Sequence, residues 1–150
     1  MSVRAGVLTL VDSLRQDGRL GILMITHVLS TAGHFADRIA VMYLGRIVEY
    51  GPARQVVRDP RHPYTRALLS VVPPRDPRAR PVPQILRGEA PNPADIPSGC
   101  RFRSRCPIAE DRCATTDPRL APVAGLPPAD PDPAGSGHAV ACLLAAGPED

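Results

Sequence analysis

The sequence predicts an α/β fold, with a few strands flanked by helices and an irregular Pro-rich, Cys-containing tail. Two observations carry this reading. Apolar residues in periodic patterns are concentrated before about position 72. Pro, 19 of 150 residues, lies mostly after position 51, and all four Cys lie at position 100 or beyond. The first part can bury a core, whereas the second holds only scattered apolar residues. The chain divides accordingly into 1–72, a Pro-rich linker at 73–99 and a Cys-containing region at 100–150.

The elements follow in order. Val3, Val7, Leu10, Val11 and Leu14 recur at helical spacing over 2–16, with Ser2 as N-cap and Asp17-Gly18 as the stop. LGILMIT, 20–26, is a continuous apolar run that suits a buried strand, in the manner of parallel sheets. Residues 27–38 have helical character. IAVMYL, 39–44, and IVEY, 47–50, read as a hairpin about Gly45-Arg46. Gly51-Pro52 ends it, and PARQVVRD starts a short helix. A second short helix lies within 60–72, with Pro63 in its first turn and Ala67, Leu68 and Val71 as an apolar face. The linker should be extended. HAVACLLA, 138–145, reads as a final strand.

All 18 basic residues are Arg. A phosphate-binding Walker A loop requires a Lys, and neither that residue nor the GxxxxGK[ST] pattern occurs. The net charge of +3 is modest, with Asp and Glu interspersed among the Arg. Arg101, Arg103 and Arg105 form a basic run, but Phe102 is its only aromatic, so no nucleic-acid partner is expected. No signal peptide is apparent, and the apolar runs are too short to span a bilayer. The chain therefore reads as cytosolic, where four Cys favour metal or redox chemistry over disulfides.

His27 follows the apolar run GILMIT, at a place where open α/β sheets hold their ligands. From position alone, a catalytic role and a structural helix-capping role are equal readings. The surrounding stretch ILMITHVLSTAGHFADRIAVMYLGRIVEYG resembles the region after Walker B in ABC-transporter ATPases. The match runs through Thr26-His27, Ala36-Asp37-Arg38, Leu44-Gly45-Arg46, Ile47-Val48-Glu49 and Gly51. The resemblance implies that His27 is the switch (H-loop) histidine that senses the γ-phosphate, and that 1–72 is the last part of such a core. Val28 departs from the family, which usually has an acidic residue there. His34 reads as a surface residue of the helix.

DPRHPYTRALLSVVP, 59–73, resembles the hallmark of the oligopeptide/dipeptide branch of ABC importers. So do Gly88-Glu89-Ala90-Pro91 and PSGCRFRSRCPIAEDRC. His62 within the hallmark reads as a packing residue beside Pro63 and Tyr64. The resemblance implies membrane permease subunits and a second ATP-binding subunit as partners, and a peripheral position on the inner face of the cell membrane. It implies ATP and Mg²⁺ as ligands of the complete subunit only. Residues 2–16 resemble the helix beyond Walker B and the D-loop, so Met1 is expected to stand at an internal point of a longer ancestral reading frame.

Cys100, Cys106 and Cys113 are spaced C-x5-C-x6-C, with Cys142 29 positions further on. The tight C-x2-C of zinc ribbons is absent, so the spacing leaves metal binding and inert thiols both open. Confinement of the four to a segment poor in hydrophobes favours a metal clamp. Arg101, Arg103, Arg105 and Arg112 are expected to offset thiolate charge and lower the thiol pKa values. Both Zn²⁺ and a [4Fe–4S] cluster suit four Cys. Resemblance to the importer tail implies the cluster. Two function classes follow: part of the ATP-binding subunit of an importer for peptides or nickel-like solutes, inactive alone, or a stand-alone metal-binding or interaction module (or a non-functional gene fragment).

Overall fold

A β-hairpin is the centre of the molecule. The computed structural model describes residues 20–72, 83–89, 91–123 and 137–145, together with Gly6, Leu10, Val11, Ser13, Leu14 and Gly18. Strands β1 (Arg38–Tyr43) and β2 (Arg46–Pro52) pair antiparallel through a two-residue turn. Both turn residues have positive φ, 45° at Leu44 and 75° at Gly45. That backbone matches the twist of the strands it joins, and Gly adopts it without steric cost.

β1 alternates as a half-buried strand should, with Ile39, Val41 and Tyr43 inward. β2 does not. Val41 pairs with Glu49 but Met42 pairs with Ile47, so Val48 is an extra residue in the ladder. This bulge turns two consecutive side chains, Val48 and Glu49, into the interior.

Three short helices pack around the hairpin: α1 (Leu29–Phe35), α2 (Ala53–Arg58) and α3 (Pro63–Ser70). A Cβ at Gly33 would stand 2.8 Å from Val57 Cγ2, so the absence of a side chain there lets α1 approach α2. α3 starts at His62, whose Nδ1 accepts the Tyr64 N–H at 3.1 Å, with Pro63 in the first turn. Ala32, Ile39, Val41, Tyr43, Val48, Ala53, Val56 and Phe102 form the core.

Phe102 belongs to the Cys-containing region, so that region completes the core. Its ring meets Tyr43 edge-on at 5.1 Å, and His62 and Tyr64 at 5.4 and 5.5 Å. Two further short strands extend the sheet: β3 (Ala121–Pro122) and β4 (Ala139–Val140). The order is β1-β2-β4-β3, antiparallel throughout.

The α/β class holds, but several expected details do not. Residues 20–26 form no strand, because no described strand lies beside them to satisfy the ladder; Leu23 and Ile25 are 91% and 93% exposed. The sheet is consequently antiparallel and not parallel. The last strand is two residues long, since only Ala139 and Val140 pair with β2, and β3 was not anticipated. The turn centres on Leu44-Gly45, one residue earlier than expected. The helix expected over 27–38 covers Leu29–Phe35, and Val71 lies exposed past the end of α3. Of 2–16, the described positions Gly6, Leu10, Val11, Ser13 and Leu14 are helical, and so is Gly18, where a stop was expected. Pro73, Pro74, Pro77 and Pro81 lie outside the described residues. Residues 83–89 and 91–99 contain neither helix nor strand.

Candidate metal centre

The segment 98–114 closes on itself. Gly99 has φ of 65°, and the Cys100 N–H bonds to the Cys113 carbonyl at 2.9 Å. A Cβ at Gly99 would stand 2.5 Å from that same carbonyl oxygen, so only Gly lets the two ends approach. Two 3₁₀ turns, Arg103–Arg105 and Asp111–Ala114, shape the loop between. The fourth cysteine lies two residues past the last strand. The Ala141 N–H bonds to the Val48 carbonyl at 2.9 Å, and Cys142 packs with Val123 and Val140.

Cys113 and Cys142 are buried, Cys100 and Cys106 half-buried, and all four are free thiols. They lie close enough to act on one another's charge. Burial pushes the Cys100 thiol up, with Cys113, Cys142 and Cys106 adding to the rise. Burial likewise raises Cys106, reinforced by Cys142 and Cys113. Backbone N–H groups two residues on, at Phe102 and Ile108, donate to the sulfurs of Cys100 and Cys106 and oppose the rise. Such N–H···S bonds favour thiolate and suit a metal ligand. Among the described residues, no three His, Cys, Asp or Glu side chains stand at the spacing that holds one metal ion.

The arginines do something other than expected. Arg101 binds the Leu44 carbonyl; Arg103 binds the carbonyls of Ser98 and, at 2.9 Å, Ala114. Arg105 and Arg112 reach the carbonyls of Arg87 and Leu143, each at 3.4 Å, and Arg112 also pairs with Glu110 at 2.9 Å. They brace the backbone of the region. The expected lowering of the Cys100 and Cys106 thiols does not occur, because burial outweighs it.

His27 is exposed in the bend between 20–26 and α1, where the Thr26 hydroxyl accepts the Val28 N–H at 3.1 Å. The structure does not bring it together with the cysteines in any shared element. His62 is buried, packed on Phe102 and neutral, with burial lowering its pKa to about 4. Its capping and packing role agrees with the sequence reading.

One constellation went unread in the sequence. The fully buried Glu49 accepts the N–H groups of Arg61 at 2.7 Å and His62 at 2.9 Å. His138 Nε2 stands 2.6 Å from Glu49 Oε1. Alternation along IVEY places Glu49 on the solvent face; the bulge at Val48 reverses that. No sequence signal announces the bulge.

With this geometry in view, the relationships of the chain are plain. Residues 48–113 match the family described as oligopeptide/dipeptide transporter, C-terminal region. The match begins within β2 and ends at Cys113, leaving out His27 and Cys142. Among individual relatives, a peptide import ATP-binding protein of Brucella ovis is 50% identical over 120 residues, 80% of this chain and 38% of the relative. The oligopeptide transport ATP-binding protein OppF of Escherichia coli is 46% identical over 122 residues, 80% of this chain and 36% of the relative. A peptide ABC transporter ATP-binding protein of Sinorhizobium fredii is 42% identical over 97% of this chain and 38% of its own length. The chain thus spans little more than a third of the relatives it matches. None of the helices among the described residues is long and apolar enough to cross a membrane.

Proposed function

We propose that this chain is the carboxy-terminal part of the ATP-binding subunit of an importer for peptides or nickel-like solutes. The match of 48–113 to the transporter family carries the reading. The likeness of the whole stretch from His27 to Gly51 to ABC ATPases supports it. In the complete subunit, His27 contacts the γ-phosphate of Mg²⁺-bound ATP, and permease subunits and a second ATP-binding subunit are the partners. The location is then the inner face of the cell membrane. The 150-residue polypeptide contains no Lys and no Walker A motif. It neither binds ATP tightly nor hydrolyses it, since the main phosphate contacts are missing. A coupled assay on the purified chain that detects Mg²⁺-dependent turnover would refute this.

Cys100, Cys106, Cys113 and Cys142 hold a [4Fe–4S] cluster in the same proposal, with Zn²⁺ as the alternative. The mutual charge effects of the four thiols and the two N–H···S bonds support a shared ligand. Bound there, the cluster would cross-link the 98–114 loop to the segment that follows the last strand. A preparation made without oxygen should be brown and contain iron and acid-labile sulfide. A colourless, zinc-containing protein would decide for the alternative.

A further inference from the structure

Glu49 lies where three segments meet. It sits on β2, accepts two N–H groups from the turn before α3, and faces His138 just before β4. Both side chains of the Glu49–His138 pair are fully buried. Two backbone N–H groups donate to the two carboxylate oxygens, and in its Nε2–H tautomer His138 donates a third hydrogen bond, to Oε1. Among the groups around it, Arg61 directs its own guanidinium to Asp59, and the His62 ring is committed to the Tyr64 N–H. His138 is therefore the side chain that answers the buried carboxylate.

Close packing enforces the same contact. A Cβ at Gly51 would stand 3.0 Å from His138 Cα and 3.2 Å from its ring. The backbone of β2 is bare at the place where His138 must pass to reach Glu49. Beyond that contact the chain pairs Val140 with Glu49 and Ala139 with Tyr50, bonds Ala141 to Val48, and reaches Cys142. The strand pairing itself is only two residues long. Such a short pairing is marginal without a further anchor.

We infer that Glu49 and His138 are positioning residues for the cysteine site, a buried latch that docks the last strand on β2 and so brings Cys142 to Cys100, Cys106 and Cys113. Docking stands on the geometry of the metal-free chain. Its consequence for metal binding rests on the four-cysteine reading proposed above. The bulge at Val48 gains a purpose in this account: it aims Glu49 inward at the junction. The Arg61–His62 turn is tied to the same carboxylate, so the start of α3 and the cysteine tail share one anchor.

The test uses the full 150-residue chain without metal. Hydrogen exchange at Val140 and Ala141 and the alkylation rate of Cys142 report docking; exchange over β1 and β2 reports the core. In His138→Ala, both docking measures should rise roughly ten- to a hundredfold while the hairpin stays protected. His138→Gln, which still donates to Glu49, should recover most of the protection. Unchanged docking in His138→Ala would overturn the inference. If His138→Ala also loses hairpin protection, Gly51→Ala decides, because it crowds His138 without removing any polar group. Local release of Cys142 in Gly51→Ala would support the latch, and no release or a global loss would overturn it. Metal loading of each variant is measured separately. Docking lost in His138→Ala, together with a wild type that binds no metal, would sink the cluster and leave the latch standing.

Discussion

At the scale of single residues, two rings govern how the tail and hairpin hold together. Phe102 is 1% exposed and contacts Tyr43, His62 and Tyr64. Phe102→Ala should cost about 3–5 kcal/mol by the usual measure for a buried aromatic, read from the urea midpoint. His62 makes stability depend on pH. Its folded pKa is lowered to about 4 from the usual 6.5, with burial as the cause. Protonation of Nδ1 would also end its acceptance of the Tyr64 N–H. As pH falls, the unfolded chain takes up the proton first. The stability that His62 contributes is therefore complete above pH 6.5 and lost as pH falls through 4, amounting to about 3 kcal/mol. His62→Asn keeps a capping oxygen and does not titrate. Denaturation of this variant across the same range should lack that part of the pH dependence.

At the scale of elements, the local sequence predicts what local chemistry decides. The hairpin, α2 and α3 were legible because their periodicity, Gly45, Pro52 and Pro63 act within a few residues. The buried Glu49 was not legible, because one extra residue in a ladder leaves no mark in composition. Residues 20–26 misled for the opposite reason. Their apolar run specifies a strand, but a strand also needs a neighbour, and none of the described strands supplies one. The sequence marks the four cysteines by their confinement to the tail; the closure that joins Cys100 to Cys113 depends on Gly99. Gly99→Ala introduces a Cβ 2.5 Å from the Cys113 carbonyl at a φ of 65°. It should cost roughly 1–3 kcal/mol and speed alkylation of the otherwise buried Cys113, leaving exchange over β1 and β2 unchanged.

At the scale of the whole molecule, the apolar surface is unevenly placed. Leu20, Ile22, Leu23, Met24 and Ile25 are all exposed in one short segment. Surface of this kind drives association. Replacing both Leu23 and Ile25 by Asp should raise the concentration at which the chain remains monomeric in sedimentation. The double variant should change folding stability by no more than about 0.5 kcal/mol, since neither side chain is packed. Away from that segment, the hairpin, the three helices and the cysteine region share one core through Phe102. A tail rich in Pro and poor in hydrophobes gains order by docking on the hairpin, and the proposed clamp on its thiols would add to that.

The two halves of that account meet at Cys142, the cysteine that lies farthest along the chain and reaches the others only through the docked strand. The deciding measurement is iron and sulfide content after anaerobic reconstitution, comparing wild type with Cys142→Ser. The account predicts about four irons per wild-type chain and loss of the intact cluster in the variant. Absence of iron from the wild type, or a full complement of iron in Cys142→Ser, would contradict it.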